Sequence, residues 1–188
     1  MPMNISFNYH SPATFVLLGI VSMSYDANDA SFDRITSSSG NAFEERTGNQ
    51  STLCVELVTP QELSVGEVCL SNTPDSLTVQ FKVQEGWLFL ETQLAVASSL
   101  DGIPKVGPGI PVLGQFGYKS SHSTASTEQT YSIALDSLGV SPGSEITVAA
   151  HASLVNDLKE EEGAWARGER FVEEGNPASY FSYELDRP

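Results

Sequence analysis

The stretch from Trp87 to Ala97 constrains the fold more than any other part of the chain. Gly86 precedes it, and most of its residues favour strands. Its first half, WLFL, is apolar at consecutive positions, which is typical of a strand covered on both faces. Glu91, Thr92 and Gln93 interrupt this apolar run, and polar groups within a core strand need hydrogen-bond partners. We therefore expect a central strand that carries a small polar cluster.

Length and composition favour one globular domain that spans residues 1–188. Hydrophobic residues make up 40% of the chain and charged residues 18%, as in a folded protein rather than a disordered one. The 24 acidic residues outnumber the 9 basic residues, and the net charge is −15. This excess repels nucleic acids and anionic membrane surfaces, so we expect neither as a partner. It is compatible with calcium bound through oxygen ligands, although most such charge serves only solubility.

The two cysteines lie in adjacent predicted strands. Cys54 falls in STLCVELV and Cys69 in VGEVCLS, with a chain reversal between them. If Thr59 faces Ser64 across a four-residue loop, counting back along both strands puts Cys54 opposite Cys69. The closest of such opposite pairs accept a disulfide, which would indicate an oxidising compartment. The alternative is a pair of buried free thiols.

The apolar run at residues 13–23 is similar to the core of a signal peptide, but no lysine or arginine precedes it. The run is also too short to span a bilayer, so we predict a buried strand instead. A turn at residues 26–29 then leads into an alternating segment, and residues 15–36 form a hairpin. No other segment approaches membrane length, and membrane insertion is not expected.

The rest of the chain is typical of short strands separated by turns. Residues 76–83 alternate between apolar and polar and predict a strand with one wet face. Residues 101–127 carry several Gly and Pro residues and predict a long irregular loop, a favoured place for a binding surface. The charged segment, residues 157–175, permits a short helix, although Gly163 and Gly168 oppose it. Further strands are predicted at residues 130–135, 145–155 and 179–185.

These elements predict an all-β fold. We expect an antiparallel β-sandwich of jelly-roll or immunoglobulin-like type, with about 8–10 strands. One long irregular loop and at most one short helix complete it.

Five stretches carry a resemblance to a known domain: ETQLAVA (91–97), GQFGYK (114–119), AAHA (149–152), AWARGERF (164–171) and YFSY (180–183). Together they resemble an uncharacterised β-sandwich domain of secreted and surface proteins of bacteria, archaea and some eukaryotes. The resemblance implies the sandwich fold and an extracellular or cell-surface location, but no agreed activity. The domain has His where this chain has Gln93 and Pro where it has Gly117. The missing His weakens any metal or acid–base role that the resemblance implies.

Glu91, Gln93 and His151 are the residues best suited to form a site. His151 lies in a predicted strand among small residues. If that strand pairs with the central strand, the three side chains converge on one face, and Trp165 and Glu169 close over them. A Glu–His pair can act as general acid and base or ligate a metal ion. We favour the alternative, a satisfied buried polar network that fixes strand register and docks the charged segment.

Oxygen ligands in turns are weaker candidates, because Asp and Asn also occur there for their tolerance of turn geometry. The four candidate calcium ligands are Asp26, Asn28, Asp29 and Asp101. His10 and His122 lie in loop-like contexts, where we expect them to be solvated. Zinc spacing, a phosphate-binding loop, an EF-hand loop and a serine-hydrolase elbow are all absent from the sequence.

No motif in the sequence identifies a reaction. We therefore expect a non-catalytic structural or binding module of an extracellular, surface or self-assembling protein. Its partner would be itself or another protein chain, met through an exposed strand edge or apolar patch. The alternative is a carbohydrate-active protein, either a glycan-binding module or a hydrolase or lyase. That alternative uses Glu91, His151 and Glu169 for chemistry and Gln93, Tyr118 and Trp165 for ligand contact.

Overall fold

The computed structural model describes residues 42–47, 50–107 and 109–187, without the side chains of 42–47 and 50. These residues all lie in one compact unit, Ile35–Pro188. The predicted hairpin at residues 15–36, His10 and the candidate ligands Asp26, Asn28 and Asp29 lie outside the described residues.

The described chain is almost entirely antiparallel β-structure. Ten of its strands have four residues or more, and its single α-helix, α1 (Leu135–Leu138), is short. No helix in this part of the chain has the length and apolar character needed to cross a membrane. The predicted all-β sandwich class is confirmed. The strands are β1 (Ala42–Thr47), β2 (Gln50–Val58), β3 (Ser64–Asn72), β4 (Ser76–Val83), β5 (Trp87–Ala97), β6 (Lys105–Val106), β7 (Ile110–Pro111), β8 (Tyr118–Ser121), β9 (Glu128–Ala134), β10 (Glu145–Asn156), β11 (Glu161–Ala166), β12 (Glu169–Arg170) and β13 (Ser179–Glu184).

The long strands form two layers. Layer A has the order β1-β2-β3-β4-β9. Layer B has the order β8-β5-β10, and β13 and β11 lie end to end along the other edge of β10. Strand β11 also pairs with β2 at Trp165↔Val58, which joins the two layers at one side. Apolar side chains from both layers pack together in the main core.

Layer A has one buried face and one wet face. In β4 the apolar residues Leu77, Val79 and Phe81 are fully buried, whereas the polar residues between them are partly exposed. This is the outcome that strict alternation predicts, because successive side chains point to opposite faces of a sheet. The predicted wet face of this strand is confirmed.

Layer B is buried on both faces. In β5 four consecutive residues, Thr92 to Ala95, are buried, and β10 has a longer run of the same kind. The face away from the main core packs against residues of the connection 98–117 and of the segment 171–180. We call this the second core. Its buried members are Ala95, Ile103, Phe116, Ala149, Trp165 and Ala178.

One local prediction is wrong, and one possibility that the sequence left open is resolved. Residues 118–121, which fall within the predicted irregular loop, form β8 and pair with β5. The pairing uses backbone groups, and YKSS carries too few apolar residues to signal it. The charged segment forms β11 and β12 rather than a helix. Its glycines are needed for close packing, because a Cβ at Gly168 would collide with the Tyr180 carbonyl, and one at Gly163 would lie 3.2 Å from His151 Nε2.

Candidate functional site

Three adjacent strands place Gln93, His151 and Trp165 in one row on the outer face of layer B. The β5–β10 register pairs Gln93 with His151, and the β10–β11 register pairs His151 with Trp165. The expected pairing of the two strands is therefore confirmed. Gly163 precedes Trp165 by two residues on the same face and is the diagonal neighbour of His151 across the ladder. Its missing side chain leaves room for the imidazole, because diagonal neighbours on one face lie within reach of long side chains.

The imidazole of His151 is held on two sides. Its Nδ1 lies 2.7 Å from Gln93 Oε1. An amide oxygen only accepts, so Nδ1 donates and Nε2 is left with its lone pair. On the other side the ring lies 4.8 Å, centroid to centroid, from the indole of Trp165. Gln93 and His151 thus form a hydrogen-bonded pair that the Trp165 indole covers.

Burial keeps His151 neutral. It lowers the pKa of the imidazole to about 4, and the side chain is 8% exposed. A general base works best when its pKa lies near the working pH. At neutral pH this imidazole therefore binds a proton too weakly to serve as an efficient acid or base. Its geometry favours the structural interpretation, in which a buried hydrogen bond fixes the register of β5 and β10.

Glu91 shares the outer face of β5 with Gln93, as expected from their spacing. It pairs with Ser153 of β10 on one side and with Ser121 of β8 on the other, and it is partly exposed. Glu91 is thus two residue pairs along the ladder from His151, the next position on the same face. Among the described side chains, the hydrogen-bond partner of the imidazole is Gln93 and not Glu91.

Trp165 covers the imidazole, but Glu169 does not. Trp165 is buried and makes edge contacts with Phe116 (6.3 Å between ring centroids) and Phe171 (6.4 Å). Glu169 lies exposed on β12, where its carboxylate accepts a hydrogen bond of 2.8 Å from the Tyr180 hydroxyl. That hydrogen bond, with some burial, raises the pKa of Tyr180. The structure therefore brings Trp165 to the site and leaves Glu169 at the sheet edge.

The two aromatic residues expected to stack a sugar lie on opposite faces of layer B. Trp165 belongs to the second core, whereas Tyr118 packs against the main core and lies 6.1 Å from the ring of Tyr131. Tyr118 pairs with Leu94, whose side chain points into the main core. The two rings therefore belong to no common surface.

A second polar cluster joins β5 to β9 across the main core. The Thr92 hydroxyl, fully buried, lies 2.7 Å from the Tyr131 hydroxyl and 3.4 Å from His122 Nε2. Burial raises the pKa of Tyr131, the Thr92 hydrogen bond opposes this, and the charge of Glu91 adds to the rise. His122 packs 5.7 Å from the Phe89 ring and is partly buried, so the expectation that it is solvated is wrong. In the sequence, the only sign of this cluster was the polar residue Thr92. Because successive side chains of a strand point to opposite faces, Thr92 lies on the face opposite Gln93.

The cysteine hairpin forms the predicted disulfide. Cys54 and Cys69 are direct partners with their Cα atoms 4.0 Å apart. The predicted loop is one residue too long, because Thr59 bonds to the Leu63 carbonyl and not to Ser64. The β2–β3 bulge contains one extra residue in β3. This residue compensates for the shorter loop, so Cys54 still lies opposite Cys69.

Grouped metal ligands are scarce in the described part of the chain. The one set of three side chains with ligand atoms within 4.8 Å of one another is Cys54, Glu67 and Cys69. Its two sulfurs are bonded to each other and are not available as thiolates. Asp101, a candidate calcium ligand, is fully exposed and lies 3.7 Å from the Lys105 ammonium group.

Comparisons with protein-family models, with curated proteins and with solved structures found no match. The chemistry of the site therefore rests on its own geometry.

Proposed function

We propose that this chain is a non-catalytic β-sandwich module of an exported or cell-surface protein, and that its partners are protein chains, including further copies of itself. The observation that carries the proposal is the His151 row. The imidazole is neutral, hydrogen-bonded to Gln93 and covered by Trp165. Such an arrangement stabilises a sheet, whereas proton transfer at neutral pH needs a less depressed pKa.

The disulfide supports an oxidising compartment. Disulfides persist mainly in secreted, periplasmic and cell-surface proteins, where no reducing pool opens them. Cys54 and Cys69 are both partly exposed on the wet face of layer A, so a cytosolic reductant would reach them. An oxidised pair at this position therefore fits a protein that has left the cytosol.

Surface charge supports a protein partner. The net charge of −15 repels nucleic acids and anionic lipid surfaces. The wet face of layer A presents polar side chains such as Thr78, Gln80 and Lys82, a composition that suits polar interfaces.

Thiol alkylation of the native protein tests the location. Cells are fractionated under acid quench, and the chain is alkylated before and after reduction. We expect it outside the cytosol, with its two cysteines alkylated only after reduction. A cytosolic chain that alkylates without reduction would contradict the proposal.

Light scattering of the intact, oxidised chain over a concentration series tests self-association. We expect the mean mass to rise with concentration. A His151→Gln variant, which alters the proposed structural row, should be less stable but associate like the wild type if the row is not part of the interface. A mass that stays monomeric throughout would rule out further copies as partners.

A further inference from the structure

Strand β9 ends layer A, and its outward backbone groups can be identified. Val83 donates to the Thr127 carbonyl (3.0 Å) and Leu135 donates to the Asp75 carbonyl (2.9 Å). In an antiparallel pair, residues that bond to the partner strand alternate with residues that do not. The odd-numbered residues of β9 therefore bond to β4. The even-numbered residues, all with exposed side chains, direct their N–H and C=O groups away from the sheet.

Side chains from the same segment occupy three of the four outward carbonyls. Ser126 Oγ donates to the Glu128 carbonyl (3.0 Å), and Gln129 Nε2 donates to the Thr130 carbonyl (3.0 Å). At the other end Ser137 Oγ donates to the Ala134 carbonyl (2.6 Å). All three acceptors are even-numbered. The Ser126 and Gln129 donors therefore cap acceptors that a neighbouring strand would use, whereas the carbonyl of Ala134, the N-cap residue of α1, also accepts the first backbone hydrogen bond of that helix.

Strand β9 lacks most of the usual protections of an edge strand, and its one charged residue is Glu128, at its first position. Its sequence, EQTYSIA, contains neither Pro nor Lys, and its ladder with β4 runs without a bulge. A second copy aligned antiparallel about Tyr131 would place Glu128 opposite Ala134 and Thr130 opposite Ser132. No like charges would then face each other. Charge and sequence leave this edge open to pairing with itself.

We propose that Ser126, Gln129 and Ser137 seal β9 against strand addition by a second copy of this chain. The seal acts by occupying acceptors, because a strand that pairs here must first displace three hydrogen bonds. These bonds are exposed and contribute little to folding. The inference does not depend on the proposed function. With β9 sealed, self-association of the wild type would use another surface.

The test removes the three side-chain donors from β9 and its flanking residues. The triple variant Ser126→Ala, Gln129→Met, Ser137→Ala keeps the bulk of each side chain nearly constant and removes all three donors. Analytical ultracentrifugation of wild type and variant should show that the variant self-associates with a dissociation constant lower by about tenfold or more. The single variant Gln129→Met should lie between them. The matched control is Ser132→Ala, an exposed serine on the same strand that caps no carbonyl, and it should behave as wild type.

A second substitution shows whether β9 is the surface used. Ser132→Pro removes an outward N–H and leaves the bonds to β4 intact. Added to the triple variant, it should return association to the wild-type level. In the wild-type background it should change nothing. A folded triple variant that associates no more than wild type would overturn the inference, and so would wild-type association that Ser132→Pro abolishes.

Discussion

The outer faces of the two layers differ although both belong to long antiparallel strands. The outer face of layer A is wet, and its polar residues, such as Gln80 and Thr130, are partly or fully exposed to solvent. The outer face of layer B lies largely under the second core, so its polar residues Gln93 and His151 bond to each other. An exposed sheet face tolerates polar side chains without a protein partner, whereas a buried polar side chain needs a hydrogen-bond partner within the protein.

The two faces are also covered by different kinds of structure. Layer A is held together by hairpins between its own strands and by a disulfide that links two neighbouring strands. Layer B depends on a connection of about twenty residues that has little regular structure and inserts Ile103 and Phe116 against the sheet. We therefore expect the largest effects of substitution under that connection.

The substitution Trp165→Ala should have the largest effect. It removes a buried indole from between Phe116, Phe171 and His151, and we expect the free energy of unfolding to fall by about 3–5 kcal/mol. Urea denaturation measures this. The matched control is Gln80→Ala on the wet face of layer A, which should cost about 0.5 kcal/mol or less. Equal effects of the two substitutions would remove the distinction between the faces.

Replacing both cysteines by alanine should have the next largest effect. The disulfide joins residues 15 apart, and loops of this length correspond to a stabilisation of about 3 kcal/mol. Cys54 lies four residues along β2 from Val58, the residue that pairs with Trp165, which is about 13 Å at the rise of a strand. At this separation the losses should add when the two changes are combined, within about 0.5 kcal/mol. Denaturation of the combined variant checks this, and a strongly non-additive result would mean that the faces are coupled.

Lowering the pH should weaken layer B through His151. The folded-state pKa of about 4 lies below the ordinary value of 6.5, so the unfolded chain binds the proton more readily. This contribution is present above pH 6.5 and is lost as the pH falls toward 4. Between pH 7 and about 4.5 wild type should lose about 2–3 kcal/mol more than His151→Gln. Parallel pH profiles of the two proteins would contradict this.

Local patterns predicted layer A well. Alternation at residues 76–83 identified β4 and its wet face, and counting along two strands placed Cys54 opposite Cys69. The apolar run of β5 predicted a strand covered on both faces, although the residues so covered are 92–95 and only Phe89 of the run itself is buried. The polar residues of the strand led to the partnership of Gln93 with His151. In each case the information lies within one or two neighbouring strands.

What covers layer B was not predictable, because long-range packing decides it. Ile103 and Phe116 are isolated apolar residues among Gly and Pro, with no period to show which face they meet. Glu169 follows Trp165 closely in sequence, yet β12 carries it to an exposed edge. His122 has a loop-like neighbourhood, and its contact with Thr92 depends on the pairing of β8 with β5.

The state of the His151 imidazole tests the account most directly. Nitrogen chemical shifts of the ring, measured from pH 8 down to about pH 3, report both its tautomer and its pKa. We predict a neutral ring protonated on Nδ1, slow proton exchange, and titration near pH 4. A ring that titrates near pH 6.5, with both tautomers populated and rapid exchange, would show that His151 is not locked between Gln93 and Trp165.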